Sequence, residues 1–553
     1  MMIESRIKRL GTVLKERAFV KSWLTNIKEN KLLYALALAT FVIHLATGWQ
    51  YGYFRDELYY YSMSNHLDFG YVDISPIVPF LMRFSRLLFG ESVFAFHIIP
   101  ALCRAVIVLV AANITKKLGG GKFACLLTGI VIFAAPMFQA FGAMFTYDIF
   151  DQLTSAIFIY TIVLILNAKE ESEYKRAWIL FGIAAGIGLM VKISIMFLAF
   201  SFVMALLLTK NRAFFKTKHL WRGALIALLI FSPYIVWQIQ HGGLILEYWV
   251  NYASYKVFRA SPLEFILMET VVMNPLSLPL WIGGLCYLLF HKKGRKYAVL
   301  GHMFWIYLVL AIIMFFKFYI LAGGFLALIS AGAIWVENWL TSKKAMRWRN
   351  IYAASVLFAG LLLLPIAVPV LPPETYVSID RQIFSPLTGT IKYENIETEE
   401  LPQHFGDRFG WEEMTALVAD VYHSLPAEEK NSYAIFAMNY GEAGAINFFG
   451  KKYGLPEAIS GHLSHYVWGP GEYDLDTVLF LAWLGPEGGF DPEEGLGFIN
   501  PEVWLREELY DHVELAAVTN AKYAMPYENN VGIFICKGLK IGKDELWEMF
   551  KGL

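Results

Sequence analysis

Cysteine is scarce in this chain, with four residues among 553. Cys103, Cys125 and Cys286 fall inside long apolar runs, and Cys536 stands alone in the polar C-terminal region. A disulfide within that region is therefore excluded, even in an oxidising compartment. The four cysteines also lack the spacing of a zinc site.

Charged residues are few as well, at 17% of the chain, and their formal net charge is zero. Hydrophobic residues make up 57%, and the mean hydropathy is +0.47. These values exclude an ordinary soluble globule and indicate a polytopic membrane protein. The sequence has no internal repeat and no low-complexity segment. We expect membrane lipids around the chain and no nucleic-acid partner.

Apolar runs of membrane length dominate the first two thirds of the chain. A transmembrane helix needs about 20 apolar residues. The approximate bounds of the runs are 32–48, 91–114, 123–141, 150–167, 177–190, 193–209, 221–240, 274–290, 298–315, 319–340 and 350–371. The predicted fold is a polytopic α-helical membrane protein with about 11 transmembrane helices.

The basic residues orient these helices. Cytoplasmic loops carry an excess of Lys and Arg, and alternate connections are basic if the N-terminus is cytoplasmic. We therefore predict an integral protein of the plasma (inner) membrane with three parts. Residues 1–31 form a cytoplasmic amphipathic segment rather than a signal peptide, residues 32–371 form the transmembrane domain with a first outer loop at 49–90, and residues 372–553 lie outside the cytoplasm.

The C-terminal region has a different pattern. Apolar, β-prone runs near 433–438, 478–483, 512–519 and 531–536 alternate with helical stretches at 411–425 and 442–452. Pro372 and Pro373 mark the exit from the last apolar run. This pattern predicts a small extracytoplasmic α/β domain, large enough to bury a core of its own.

Several charged residues lie at membrane boundaries, where an ionised group is costly and is a functional candidate. They are Asp56, Glu57, Asp148, Asp151, Lys192 and Lys317. All are predicted on the non-cytoplasmic side, so they are candidates for one acid/base group beside an anion site.

Each candidate also has a structural explanation. Asp56 is next to Arg55 as an ion-pair partner, Asp148 and Asp151 have the residue type that caps a helix, and a lysine near a helix end extends towards the interface. The aromatic residues of the outer loops fit an interfacial belt as well as a groove for sugar or isoprenoid.

The first outer loop also resembles a known family. Phe54–Tyr60, which contains Arg55, Asp56, Glu57, Tyr59 and Tyr60, is followed by Gly70–Asp73 and Pro76. These residues resemble the first-loop signature of glycosyltransferase family 39, the protein mannosyltransferase and aminoarabinose transferase group with the GT-C fold.

Further segments extend this resemblance over most of the chain. They are Phe150–Leu153, Gly188–Lys192, Pro233–Trp237, Lys317–Tyr319 and, in the tail, 403–413, 439–443 and 453–456. The tail segments are similar to bacterial members of unassigned acceptor. One departure is Ile74-Ser75-Pro76-Ile77, where family members commonly have two prolines.

The resemblance implies a hexosyl or pentosyl transferase of the cell envelope. Its donor would be a polyprenyl-phosphate sugar, and its acceptor a lipid, a glycan or a protein at the outer face of the membrane. Transfer would invert the anomeric carbon.

The resemblance also implies residue roles. Asp56 would be the base, and Glu57 would support it or orient the loop. Asp151 and Asp148 would share the acceptor side, and the donor phosphate would lie against Lys192 and Lys317, with Arg55 as a further cation. No cofactor is required, although a divalent cation between Asp56 and Asp151 stays an alternative.

Two other classes remain open from the residues alone. A secondary transporter also has charged residues at membrane depth, usually in mid-span and often in related halves. A membrane-anchored binding or scaffold protein would place its function in the tail. Substitution of Asp56 separates an enzyme from both classes.

Overall fold

The computed structural model describes residues 27–388, 394–395, 398–485 and 501–553. Most of the N-terminal segment predicted to be an amphipathic helix lies outside the described residues. The membrane-embedded part is a bundle of helices, and the C-terminal part contains a small sheet.

The helices before the tail are numbered here in chain order. Their bounds are α1 Lys31–Thr47, α2 Arg55–Asn65, α3 Ile77–Phe89, α4 Val93–Lys117, α5 Lys122–Ala134, α6 Tyr147–Asn167, α7 Glu171–Val191, α8 Ile195–Leu208, α9 Lys218–Gln240, α10 Leu244–Tyr255, α11 Pro262–Val272, α12 Leu278–Phe290, α13 Ala298–Ile313, α14 Ala322–Ser342 and α15 Met346–Ala367.

Eight helices of the described ranges are long and apolar enough to cross a membrane, or up to ten if two bent pairs each count as one span. Helix α5 is a shorter apolar helix. Every predicted run coincides with one of these helices, so the helical membrane fold is confirmed. The count of 11 spans stays a prediction.

Proline accounts for the two breaks that the apolar pattern missed. The helix of the predicted run 123–141 is interrupted after Ala134, because Ala135 precedes Pro136 and has an extended backbone (φ −93°, ψ 117°), and a short helix, Pro136–Gln139, follows. The chain likewise bends by 97° between α11 and α12, at Asn274 and Pro275. Residues 262–272 are thus a helix rather than part of a simple outer loop.

Small residues allow neighbouring helices to approach closely. A Cβ on Gly182 of α7 would lie 2.4 Å from the carbonyl oxygen of Gly223 on α9. A Cβ on Gly332 of α14 would lie 1.9 Å from the carbonyl oxygen of Leu280 on α12. Helices in a bilayer gain their packing energy from such contacts.

The loops predicted to be cytoplasmic meet at one end of the bundle. Glu337 near the end of α14 accepts hydrogen bonds from the backbone nitrogens of Gly121 (2.7 Å) and Ala124 (3.2 Å), at the start of α5. Arg349 lies 3.6 Å from the same carboxylate. These bonds satisfy backbone donors that a helix start leaves free.

The tail is an α/β domain, as predicted. Its described strands are β1 Ala434–Phe436, β2 Thr477–Trp483, β3 Tyr510–Val518 and β4 Val531–Leu539, and its longer helices are α16 Pro373–Ile379, α17 Trp411–Ser424, α18 Tyr440–Phe449 and α19 Lys543–Met549. The sheet order is β1-β2-β4-β3, with β1 parallel to β2 and the other pairs antiparallel.

Helix α18 of the tail packs directly on α2 of the first outer loop. A Cβ on Gly444 would lie 2.7 Å from the backbone of Leu58, and a Cβ on Gly441 would lie 2.7 Å from the side chain of Arg55. Only glycine permits this approach. The tail therefore docks against the helix that carries Asp56 and Glu57.

Candidate active site

Glu57 fixes the start of α2. One carboxylate oxygen accepts from the backbone nitrogen of Phe54 (2.9 Å), and the other accepts from the backbone nitrogen of Phe145 (2.5 Å) and contacts Nε2 of His97 (2.8 Å). The side chain is fully buried. Because Phe145 lies two residues before α6, Glu57 joins the start of α2, which carries Asp56, to the start of the helix of Asp148.

Asp56 lies beside Glu57 but remains partly exposed. Its Oδ1 accepts a hydrogen bond from the hydroxyl of Tyr440 at 2.9 Å. Burial raises the pKa of Asp56, while Arg55 and the Tyr440 hydroxyl oppose that rise. The tail thus supplies a direct partner to the predicted base.

Arg55 faces the tail. Its Nη1 lies 3.1 Å from Glu528 and 3.9 Å from Asp407, and its guanidinium packs 4.6 Å from the ring centroid of Tyr440. These contacts favour a role in holding the tail, and the predicted phosphate contact of Arg55 stays a prediction.

Two acids on α6 face the end of α7. Lys192 Nζ lies 2.6 Å from Asp148 Oδ1, and Ser194 donates to Asp151 Oδ1 at 3.0 Å. The N-cap position of α6 is Thr146, and neither acid caps the helix. The side chain of Lys192 is largely buried, at 15% exposure.

Lys317 is far from Lys192 in sequence, yet both lysines approach the ring of Tyr319. Lys192 Nζ is 5.2 Å and Lys317 Nζ is 5.9 Å from the centroid of Tyr319. Lys317 also pairs with Glu394 of the tail at 2.7 Å. Two cations therefore flank one aromatic ring.

The acid and the lysines share one electrostatic environment. Asp148 and Lys317 lie close enough to Asp56 to affect its pKa. Tyr60, whose side chain is buried, lies within electrostatic range of both Asp56 and Asp148. The structure thus brings together Asp56, Asp148, Lys192 and Lys317 from four separate parts of the chain.

The remaining first-loop residues support this arrangement. Tyr59 donates to Asp73 Oδ1 at 3.0 Å and accepts from the backbone nitrogen of Ser464 in the tail. Burial raises the pKa of Asp73 to about 7. Pro76 is at the N-cap position of α3, and Ser75 bonds to the carbonyl of Leu189 on α7 (2.8 Å).

A small, mostly apolar cavity lies beside Tyr319. Tyr319 and Phe318 line it together with Pro136, Met137, Ala140, Phe141, Val272, Ile366 and Ala367. Tyr319, whose ring both lysines approach, thus also faces an apolar space between membrane helices.

Sequence reasoning missed three residues of this site. Tyr440 and Glu394 come from the tail, and Lys256 follows α10, where its pKa is lowered by burial and by Arg55. Of these three residues, only Tyr440 could have been found from the sequence, because it lies in a segment that carried the family resemblance.

Comparison with known proteins gives a partial family match and a shared fold. Residues 73–237 match the family model described as dolichyl-phosphate-mannose-protein mannosyltransferase. Two crystal structures of ArnT from Cupriavidus metallidurans share the fold over almost the whole chain. The chain thus has the GT-C fold, and residues 73–237 resemble the mannosyltransferases of glycosyltransferase family 39.

The fold shared with ArnT extends over nearly the full length of both chains. The apo structure has 13% sequence identity and a TM-score of 0.58, covering 93% of this chain and 98% of ArnT. The structure bound to undecaprenyl phosphate has 12% identity and a TM-score of 0.56, covering 92% and 98%. No curated protein sequence is detectably similar to the chain.

The resemblance stated from the motifs is thereby confirmed, and the protein is an integral membrane glycosyltransferase. The match of residues 73–237 to a mannosyltransferase family model favours this class over the transporter and scaffold alternatives. The family match begins at residue 73, so Asp56 lies before it. The residue roles stay predictions.

Metal ligands are the last element of the site. In the described ranges, no group of three or more His, Cys, Asp or Glu side chains is arranged to hold a metal ion. The expectation that no cofactor is required stays a prediction.

Proposed function

We propose that this enzyme transfers a sugar from a polyprenyl-phosphate donor to a lipid, glycan or protein acceptor at the outer face of the membrane. The observation that carries the proposal is the meeting of one acid, Asp56, with two lysines around Tyr319, beside an apolar cavity. A donor with a charged head and an apolar tail matches this combination. The binding of undecaprenyl phosphate by ArnT, which has the same fold, supports it.

The donor phosphate needs cations rather than a strong acid. A phosphate on the anomeric carbon is already a good leaving group, and its negative charge grows as the bond to carbon breaks. Lys192 and Lys317 supply positive charge for that growth, in a site largely shielded from water. Asp148 holds Lys192 in place at 2.6 Å.

Asp56 acts as the base. An acceptor hydroxyl or amine attacks the anomeric carbon in line with the departing phosphate, and its proton passes to the Asp56 carboxylate. The bonding electrons leave with the phosphate, so the anomeric configuration inverts. Glu57 is too fully engaged for this task, with hydrogen bonds to Phe54, Phe145 and His97, and it orients the loop instead.

Asp151 and the tail complete the acceptor side. Asp151 lies one helical turn beyond Asp148 on α6 and bonds to Ser194. The tail covers α2 through α18 and supplies Tyr440 to Asp56. We assign it the selection of the acceptor.

The distribution of basic residues among the loops supports the proposed orientation. Loops predicted outside and the tail meet at the end of the bundle that carries the site, opposite the end around Glu337. We therefore place the N-terminus in the cytoplasm and the site on the outer face of the plasma (inner) membrane. No divalent cation takes part in the proposed reaction.

The test is transfer of radiolabelled sugar from a panel of polyprenyl-phosphate donors, in membranes that contain the intact protein or the Asp56→Asn variant. We expect label in a lipid, glycan or protein fraction with the intact protein alone. Equal transfer by both proteins would remove Asp56 as the base. No transfer from any donor, by an intact protein that is folded, would overturn the proposed function.

A further inference from the structure

Glu394 is an unusual carboxylate, because it belongs to the tail but lies among the cations of the membrane domain. Its Oε1 is 2.7 Å from Lys317 Nζ and accepts from the hydroxyl of Tyr252 at 3.2 Å. Its Oε2 accepts from Gln403 at 3.2 Å. Both members of the Lys317 pair are mostly buried, with side chains 20% and 13% exposed.

Lys256 adds a second cation to this carboxylate. Its ammonium lies within electrostatic range of Glu394, Lys317 and Arg55. Although burial opposes it, the charges of Lys317 and Lys256 lower the pKa of Glu394 to about 2. The backbone of Asn395 is fixed separately, by a 3.0 Å bond to the carbonyl oxygen of Lys256.

Resting on the proposed function, we infer that the Glu394 carboxylate occupies an anion subsite made by Lys317, Lys256 and Tyr252, and that the donor phosphate replaces it there. A phosphodiester carries one negative charge, as a carboxylate does, so the exchange conserves charge in a shielded site. Lysine binds either anion as a point charge. Lys256 and Tyr252 are then further residues that bind the donor.

The exchange also acts on the product. When the sugar leaves, the phosphate becomes a monoester with a charge of about −1.5 to −2 at neutral pH. The lysines would hold this product more tightly than the donor. When the product leaves, Glu394 pairs with Lys317 again, so the lysine ammonium does not stay unpaired. This exchange speeds release of the product.

The experiment measures equilibrium binding of undecaprenyl phosphate to the purified full-length protein, with uncharged undecaprenol as the reference lipid. Glu394→Gln should bind undecaprenyl phosphate about tenfold more tightly, the gain expected if the carboxylate leaves the subsite free a tenth of the time. Its KM for the donor and its kcat should both fall, because product leaves slowly. Glu400→Gln, which alters an exposed ion pair with Arg381, should leave the affinity, KM and kcat unchanged.

Coupling to Lys317 separates competition from a structural effect. Adding Glu394→Gln to Lys317→Met should give no gain in affinity over Lys317→Met alone. Unchanged or weaker binding by folded Glu394→Gln would overturn the inference. If the intact protein binds undecaprenyl phosphate no better than undecaprenol, both the inference and the proposed donor class fail.

Discussion

Two lysine–carboxylate pairs at opposite ends of the helix bundle differ in their burial. At the end predicted to face the cytoplasm, Lys122 and Glu29 lie 3.7 Å apart with side chains 72% and 57% exposed. At the other end, Lys192 and Asp148 lie 2.6 Å apart with side chains 15% and 9% exposed. The more closely paired and more deeply buried of these two lysines is the one at the candidate site.

The physical reason is the cost of removing charge from water. An exposed ion pair contributes about 0–1 kcal/mol, so its position is barely constrained. Burying an ion pair costs desolvation free energy, which the rest of the fold offsets. Loss of one partner is strongly destabilising, because it leaves an unpaired charge in the interior. Charges kept in such a place are good candidates for chemistry.

The largest effect is expected at Asp56. Asp56→Asn should lower transfer about 10³-fold, because an amide accepts no proton from the acceptor. Asp420→Asn, at an exposed position of α17, should leave transfer unchanged. The measurement is the initial rate per folded protein, and a similar loss in both variants would point to an indirect effect.

The next largest effect on transfer is expected at Lys192 and Lys317. Lys192→Met or Lys317→Met should lower kcat about 10²-fold, since each removes positive charge from the departing phosphate. Lys218→Met at the other end of the bundle, where the Glu171 partner is exposed, should stay within twofold. Rates of the three variants in the same membranes decide whether the two ends differ as proposed.

A smaller effect is expected at Tyr440. Its hydrogen bond lowers the pKa of Asp56 against the larger effect of burial, so Tyr440→Phe should raise that pKa further. The base works only when ionised, and transfer should therefore fail at a higher pH as the medium is acidified, with a loss of about threefold on the acid side. Tyr466→Phe, which removes a hydroxyl bonded to Glu548, should leave the pH profile in place.

The smallest effect on transfer is expected at Glu337. Glu337→Ala removes the acceptor for Gly121 and Ala124 at the start of α5, at a cost of about 1 kcal/mol in stability. Thermal stability in detergent should fall while the rate per folded protein does not change. A fall in rate without a fall in stability would link this end of the bundle to the reaction.

The sequence predicted the fold well because apolar length and charge placement are local signals. All four described strands of the tail lie at or beside their predicted positions. The break after Ala134 was readable from Pro136, but the apolar pattern outweighed it. The bend between α11 and α12 was missed because residues 262–272 were placed in a loop by the hydropathy count.

The site was predicted in part. Asp56, Asp148, Lys192 and Lys317 were singled out because charge at a membrane boundary is costly. Their partners were not, since Glu394 lies 77 positions from Lys317 and Tyr440 lies 384 positions from Asp56. No periodicity in one sequence reports on contacts at such separations.

The amino-acid sequence by itself determined the membrane class, the alternation of basic loops and the α/β character of the tail. Each follows from the solvation preference of short segments. Only the tertiary structure decided that the tail packs through Gly441 and Gly444 onto α2, and that its Tyr440 and Glu394 enter the site. Those contacts depend on shape and charge brought together from distant parts of the chain, so they exist only once the whole chain has folded.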